Sequence, residues 1–250
     1  MNILILGGNR FFGKKLLYQL SIKKNLKIYI LNRGNKKINK EIINMKNIFF
    51  IKCDRKNKFE LSNKLKDINV DIIFDNCAYV RDDVKNIINI FKNKKIIYFF
   101  SSTVMSYLNL YLTKELKEND WYDANSTKHM NKLYEKYEIT YAKNKRQIEN
   151  YLIYNSNIKY IILRIHNVIG KKDFSKKTIK FILSNKTIMD VNSIKNNDFF
   201  QFTYDIDLIE IIKKLIVNPP KSSSIFNICN DKIEASKFYM IRDKYISNKR

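Results

Sequence analysis

Tyr141 and Lys145 stand four apart in Tyr141-Ala142-Lys143-Asn144-Lys145, a spacing that puts a phenol and an ammonium on one face of a helix. There the ammonium can lower the phenol pKa and hold a cofactor ribose. A hydroxyl from the nearby strand end, Ser101-Ser102-Thr103, can bind the substrate oxygen. A second group is Gly7-Gly8-Asn9-Arg10-Phe11-Phe12-Gly13, which takes three of the chain's five glycines. A tight turn, a close backbone and helix amides facing an anion are what a pyrophosphate requires. An ordinary strand–helix turn is the competing account. Tyr245 and Lys249 repeat the Tyr/Lys spacing at a C-terminus that leaves no room for a helix, so context must separate the two pairs.

That context is a strand–helix alternation. Short, β-branched, continuous apolar runs predict strands over Asn2–Leu6, Lys27–Leu31, Ile48–Lys52, Asp71–Asp75, Lys95–Ser101 and Lys159–Arg164. Amphipathic stretches predict helices within Arg10–Lys23, Arg55–Leu65, Arg81–Lys92, Thr127–Tyr154 and Tyr204–Val217. Runs of this kind suit strands buried on both faces of a parallel sheet, and the alternation predicts a doubly wound α/β, Rossmann-like fold. Ligands of such sheets sit at the carboxyl ends of the strands, where each motif falls. After the second strand comes Asn32-Arg33 rather than an acidic residue. A guanidinium there suits a ribose 2′-phosphate, with Arg10 as a second positive charge, so NADP is favoured over NAD. The alternative for Arg33 is a solvated loop residue.

The 250 residues carry 48 Lys+Arg against 24 Asp+Glu, a net charge of +24. Of these, 40 are Lys and only 8 Arg, and Ile, Lys and Asn make up 112 residues, the composition an AT-rich coding sequence imposes. Lys is dispersed with no block of like charge, so background bias outweighs a nucleic-acid partner as the reason. Cys53, Cys77 and Cys229 are few and scattered, which signals neither a disulfide framework nor a zinc site. Two histidines, His129 and His166, do not build a metal centre, and no metal is expected. No apolar run nears the roughly 18 residues of a membrane span. The opening Met1–Leu6 lacks the form of a signal peptide, so the reading is cytoplasmic.

Taken in order, these motifs resemble the extended short-chain dehydrogenases/reductases, in particular the NAD(P)-dependent sugar-nucleotide epimerase/dehydratase family. The glycine loop is similar to that family's G-G-x-x-F-[IF]-G, with Arg10 at the middle glycine. The resemblance places Asp54 and Arg55 at the adenine and Asn76, Cys77 and Ala78 along the cofactor. It makes Thr103, Tyr141 and Lys145 catalytic, with Tyr141 and Lys145 also touching the cofactor and Ser102, Thr103 and Asn167 touching substrate. Leu163–Gly170 resembles L-R-x-x-N-V-x-G, Phe202–Asp207 resembles V-x-D-[LV]-A, and Phe226–Cys229 resembles F-N-[IV]-G, with Ile165 and Cys229 at a frequent Pro and Gly. It implies a dinucleotide-binding domain over residues 1–165 and a shortened substrate lobe over 166–250, interleaved with the sheet. It further implies epimerisation, dehydration or reduction of a sugar nucleotide, and a homodimer through the catalytic-helix face. The Arg10 form also occurs in stem-loop RNA-binding relatives, so a non-catalytic dinucleotide- or RNA-binding protein on this fold is the alternative. Trp121 and Tyr122 could stack on a sugar or base or anchor their loop. His166 is expected to be a packed histidine, and Cys53 and Cys77 small buried residues.

Overall fold

The first strand, β1 (Asn2–Leu6), is apolar at every position after Asn2, and its alternate side chains enter two separate cores. Ile3 and Ile5 pack with Leu16, Leu17 and Leu20 of α1 (Phe11–Ser21), whereas Leu4 and Leu6 enter the core that holds Leu61 and Leu65 of α3 (Lys58–Leu65). A strand covered on both faces must be apolar on both, which accounts for the unbroken Ile/Leu runs. Each fully buried Ile, Leu or Phe contributes about 1.5–3 kcal/mol.

The computed structural model describes residues 1–35, 40–108, 116–120, 135–170 and 199–247. After β1 and α1 come β2 (Lys27–Asn32), α2 (Lys40–Ile43), β3 (Ile48–Lys52), α3, β4 (Ile72–Asp75), α4 (Arg81–Phe91) and β5 (Ile97–Thr103). A 3₁₀ turn (Val104–Tyr107), α5 (Lys136–Asn155), β6 (Lys159–Ile165) and the short strands β7 (Val168–Ile169), β8 (Phe199–Phe200) and β9 (Thr203–Tyr204) follow. The chain continues through α6 (Asp205–Val217), β10 (Ser224–Ile228), β11 (Ile233–Glu234) and α7 (Ala235–Ser247). Seven strands form one parallel sheet in the order β10-β6-β5-β4-β1-β2-β3. Helices α1 and α6 cover one face; α3, α4 and α5 cover the other. The sequence order reverses between β1 and β4, and the register pairs Leu6 with both Leu31 and Asp75. The residues just beyond β1, β2 and β4 therefore emerge side by side at the switch point.

Several expectations need adjusting. The helix after β3 starts at Lys58, not Arg55, because Asn57 caps it by accepting the Glu60 amide at 3.1 Å. The strand β10 was not anticipated; it runs beside β6 at the edge of the sheet and is only half-buried before Ile228, so its sequence shows no continuous apolar run. The C-terminus does have room for a helix, α7, which contains Tyr245; Lys249 lies outside the described residues. This helix packs on β8 and β11, so the second Tyr/Lys match is set apart by location and not by lack of a helix. Trp121, Tyr122 and His129 also lie outside the described residues. Among the described residues no helix is long and apolar enough to cross a membrane, and no cluster of His, Cys, Asp and Glu could hold a metal ion.

Candidate functional site

The turn from β1 into α1 is built on two glycines with distinct requirements. Gly7 has φ +89°, a left-handed backbone that favours glycine, and a Cβ on it would stand 3.0 Å from the Cys77 Cβ. Gly13 lies inside α1, where a Cβ would come within 2.7 Å of the Gly7 carbonyl oxygen and 2.9 Å of Asn76 Nδ2. The loop thus closes onto the first turn of the helix, whose leading amides lack intrahelical partners. Phe11 has φ +42°, a strained value for a side-chain-bearing residue, directly after exposed Arg10. Asn9 is half-buried, and Phe12 packs against the core on the α1 side. Asn76, Cys77 and buried Ala78 continue from β4 along this loop. At the end of β2, Asn32 accepts the Gly34 amide at 2.8 Å, while its buried Nδ2 has no partner among the described residues; Arg33 beside it is exposed. A cradle that excludes side chains and an unused donor beyond β2 together fit a dinucleotide.

Tyr141, Lys145 and Glu149 form one stripe along α5, and three successive residues of β5 face them. Thr103 lies close enough to Tyr141 to act on its phenol. Lys145 Nζ donates to the Ser101 carbonyl at 2.7 Å, and Ser102 Oγ donates to Glu149 Oε1. Thr103 Oγ1 also accepts the Met105 amide at 3.2 Å, which fixes the strand end as it enters the 3₁₀ turn. Burial, together with nearby Tyr79, pushes the Tyr141 phenol up to about 12, and Thr103 only partly opposes this. Burial draws the Lys145 amine down to about 8. The protein groups alone therefore do not depress the phenol as the Tyr/Lys spacing suggested, since desolvation and Tyr79 outweigh the influence of Thr103.

Other expected residues are placed less directly. Arg55 is buried, with Nη1 and Nη2 donating to Asp75 Oδ1 and Oδ2 at 2.9 and 2.7 Å and Nη2 also donating to the Asp83 carbonyl at 2.8 Å. Its guanidinium is engaged within the protein, whereas Arg33 is exposed. The Asp54 carboxylate accepts the Lys56 amide at 3.0 Å. Ser102, expected beside a substrate, turns its buried hydroxyl onto Glu149 instead. Asn167 is exposed beyond β6, and His166 accepts the Asn167 amide on Nδ1 at 2.8 Å, with burial lowering the imidazole pKa. Cys53 is buried and Cys77 half-buried; burial raises the Cys77 thiol to about 11, which disfavours the reactive thiolate.

Sequence reasoning missed a buried polar network beneath this site. Arg164 Nε and Nη2 donate to Glu149 Oε2 at 3.0 and 2.7 Å, and Nη1 donates to Tyr107 Oη at 2.6 Å and to the Glu118 carbonyl at 2.9 Å. Tyr107 in turn meets Asn227 Oδ1 at 2.7 Å, and Glu118 Oε1 accepts the Asn227 amide at 2.8 Å. Segment 116–120 is thereby tied to β6 and β10. Asn227 belongs to the F-N-[IV]-G-like stretch and Arg164 to the L-R-x-x-N stretch, so the signals were present without their connection.

The strand order and the glycine turn define a Rossmann-like, doubly wound α/β fold. Solved structures of that fold match nearly the whole chain. One is a dTDP-glucose 4,6-dehydratase from Bacillus anthracis str. Ames in complex with NAD, 20% identical with a TM-score of 0.71, over 99% of this chain and 80% of that one. A UDP-glucose 4-epimerase is 18% identical with a TM-score of 0.70, over 97% and 82%. A wide-type short-chain dehydrogenase/reductase from Veillonella parvula DSM 2008 in complex with NADP is 16% identical with a TM-score of 0.60, over 95% and 96%. No protein-family model and no curated protein sequence matches the chain.

Proposed function

We propose that the chain binds a nicotinamide dinucleotide and is an enzyme that epimerises, dehydrates or reduces a sugar nucleotide. The observation that carries this reading is the stripe of Tyr141 and Lys145 set against the end of β5, with Lys145 Nζ bonded to the Ser101 carbonyl at 2.7 Å and 5.6 Å from the Tyr141 ring, together with the glycine cradle after β1. Gly7, Gly8, Asn9, Arg10, Phe11, Phe12 and Gly13 would hold the pyrophosphate side, and Asn76, Cys77 and Ala78 would line its path. Asn32 and Arg33 would meet the adenosine ribose. The unused Asn32 donor and the exposed guanidinium favour NADP over NAD. Residues 1–165 would carry the cofactor and 166–250 the substrate side, including Asn167.

When bound, the dinucleotide supplies the hydride acceptor and donor. Tyr141 would act as its phenolate, which takes the proton of the sugar hydroxyl and becomes the neutral phenol, and Thr103 Oγ1 would hold the sugar oxygen. Lys145, charged below about pH 8, places a positive charge 5.6 Å from the Tyr141 ring and favours proton loss from the phenol. Native mass spectrometry of the purified protein tests the cofactor assignment: a co-purifying NADP or NAD is expected. A protein that neither retains nor binds either one would end this reading. Turnover equal to wild type in Tyr141→Phe would remove Tyr141 from the chemistry. Exposed lysines lie on both helical layers, such as Lys14 on α1, Lys64 on α3, Lys85 on α4 and Lys214 on α6, which speaks against one RNA-binding face. A homodimer through α5 is part of the same proposal.

A further inference from the structure

Tyr79 lies between β4 and α4, is 61% exposed, and has no part in the assignments above. Its ring stands 6.2 Å from the Tyr141 ring, centroid to centroid, at an interplanar angle of 54°. Lys145 Nζ lies 5.8 Å from the Tyr79 centroid, 5.6 Å from that of Tyr141 and 4.6 Å from that of Phe100. Three rings and the Ser101 carbonyl therefore surround one ammonium, and Tyr79 is the most exposed of the three rings.

We propose that Tyr79 is a positioning residue, the outer wall of an aromatic cage that holds the Lys145 ammonium against the Ser101 carbonyl and keeps water from it. The proposal rests on the assignment of Lys145 to the chemistry above. Attraction of a cation to a ring falls off near 6 Å, so Phe100 supplies most of it and Tyr79 acts chiefly by excluding solvent. Burial is the largest influence on Lys145 and disfavours its charge. Asp75 and Cys77 at the end of β4 and Glu149 on α5 favour the charge, and Arg55 opposes it. Tyr141 supplies a neutral ring. Removing the wall lets water solvate the ammonium, and this gain exceeds the weak attraction lost with the distant ring. The charged state of Lys145 then persists to higher pH, and so does the basic limb of turnover.

The test is side-chain NMR of Lys145 in the free, full-length protein, with the resonance assigned from Lys145→Arg. Wild type is expected to titrate near pH 8. Tyr79→Ala should move that midpoint up by about one pH unit or more, toward the solvated range. Tyr79→Phe, which keeps the ring, should leave it in place. In Tyr79→Ala the basic limb of kcat should follow the NMR midpoint. An unmoved midpoint in Tyr79→Ala overturns the proposal, and so does an equal shift in Tyr79→Phe, which would assign the effect to the phenol. Neither result depends on turnover, so failure of the cage is distinguishable from failure of the dinucleotide reading, which the mass spectrum decides.

Discussion

Arg55 and Asp75 meet in a two-bond fork at 2.9 and 2.7 Å, both buried, with Tyr98 Oη donating a third hydrogen bond to the same carboxylate at 2.5 Å. The fork joins the connection after β3 to the end of β4, strands separated in the sheet by β1 and β2. It also lies directly under the glycine turn, since the Cys77 amide donates to Asp75 Oδ1 at 3.0 Å and Arg55 Nη1 reaches Cys77 Sγ at 3.3 Å. Breaking one half leaves a buried charge unpaired. Asp75→Asn should cost about 3–5 kcal/mol in urea unfolding, and the double replacement Arg55→Met/Asp75→Leu should recover most of that loss.

Acid should act on the same pair. Burial raises the Asp75 carboxyl, but the Arg55 charge and hydrogen bonds, with Tyr98, outweigh it and hold the pKa below its ordinary value. A depressed carboxyl contributes stability that is present above the unfolded value of about 4 and is lost as pH falls through the lower folded value. Unfolding midpoints measured below pH 5 should therefore drop more steeply in wild type than in the double replacement.

Gly13→Ala should damage the cradle far more than Gly8→Ala. The added methyl at Gly13 meets backbone oxygen at 2.7 Å, whereas at Gly8 the nearest atom is an Ile5 side-chain methyl at 3.3 Å, which can yield. A cost of about 1–3 kcal/mol in thermal or urea unfolding is expected for Gly13→Ala. Its dinucleotide affinity should fall at least about tenfold, equivalent to 1.4 kcal/mol. Fluorescence titration with NADPH measures the affinity.

Thr103→Val removes the hydroxyl beside Tyr141 while keeping the side-chain volume. Turnover should fall by about 10²-fold or more with NADPH affinity nearly unchanged, and Thr103→Ser should restore most of it. Steady-state kinetics together with the binding titration separate the two effects.

Arg164→Met leaves Glu149 buried without its partner and releases the Glu118 carbonyl. A destabilisation of about 3–5 kcal/mol is expected. Limited trypsin digestion should also cut faster after Lys117, because the hydrogen bonds holding segment 116–120 to β6 are lost.

The fold was legible because burial on both faces makes parallel strands unmistakable: β1 and β3 have the predicted limits, and β2, β4, β5 and β6 shift by one or two residues at their ends. Asn57 followed by Glu60 carried a readable capping signal that moves the α3 start past Arg55. The glycine turn and the Tyr141/Lys145 stripe were visible because their requirements are local. Arg55 with Asp75, Arg164 with Tyr107, and Tyr79 over Lys145 were not, since each pairing joins elements distant in sequence. Lys145 showed the same limit, because spacing reports which face a charge occupies and not how much solvent it loses.

The bonds of Ser101 to Lys145 and of Ser102 to Glu149, with Thr103 set beside Tyr141, act as a vernier between a strand and a helix. Sliding α5 by one residue against β5 would break both bonds together, because the helix offers the next matching stripe only after three or four residues. Alignment at this site is thus all-or-none. A change in α5 packing that misplaces Tyr141 must also release Glu149 from Ser102 and Lys145 from Ser101, so mutations of this helix should cluster as intact or broken rather than grade between.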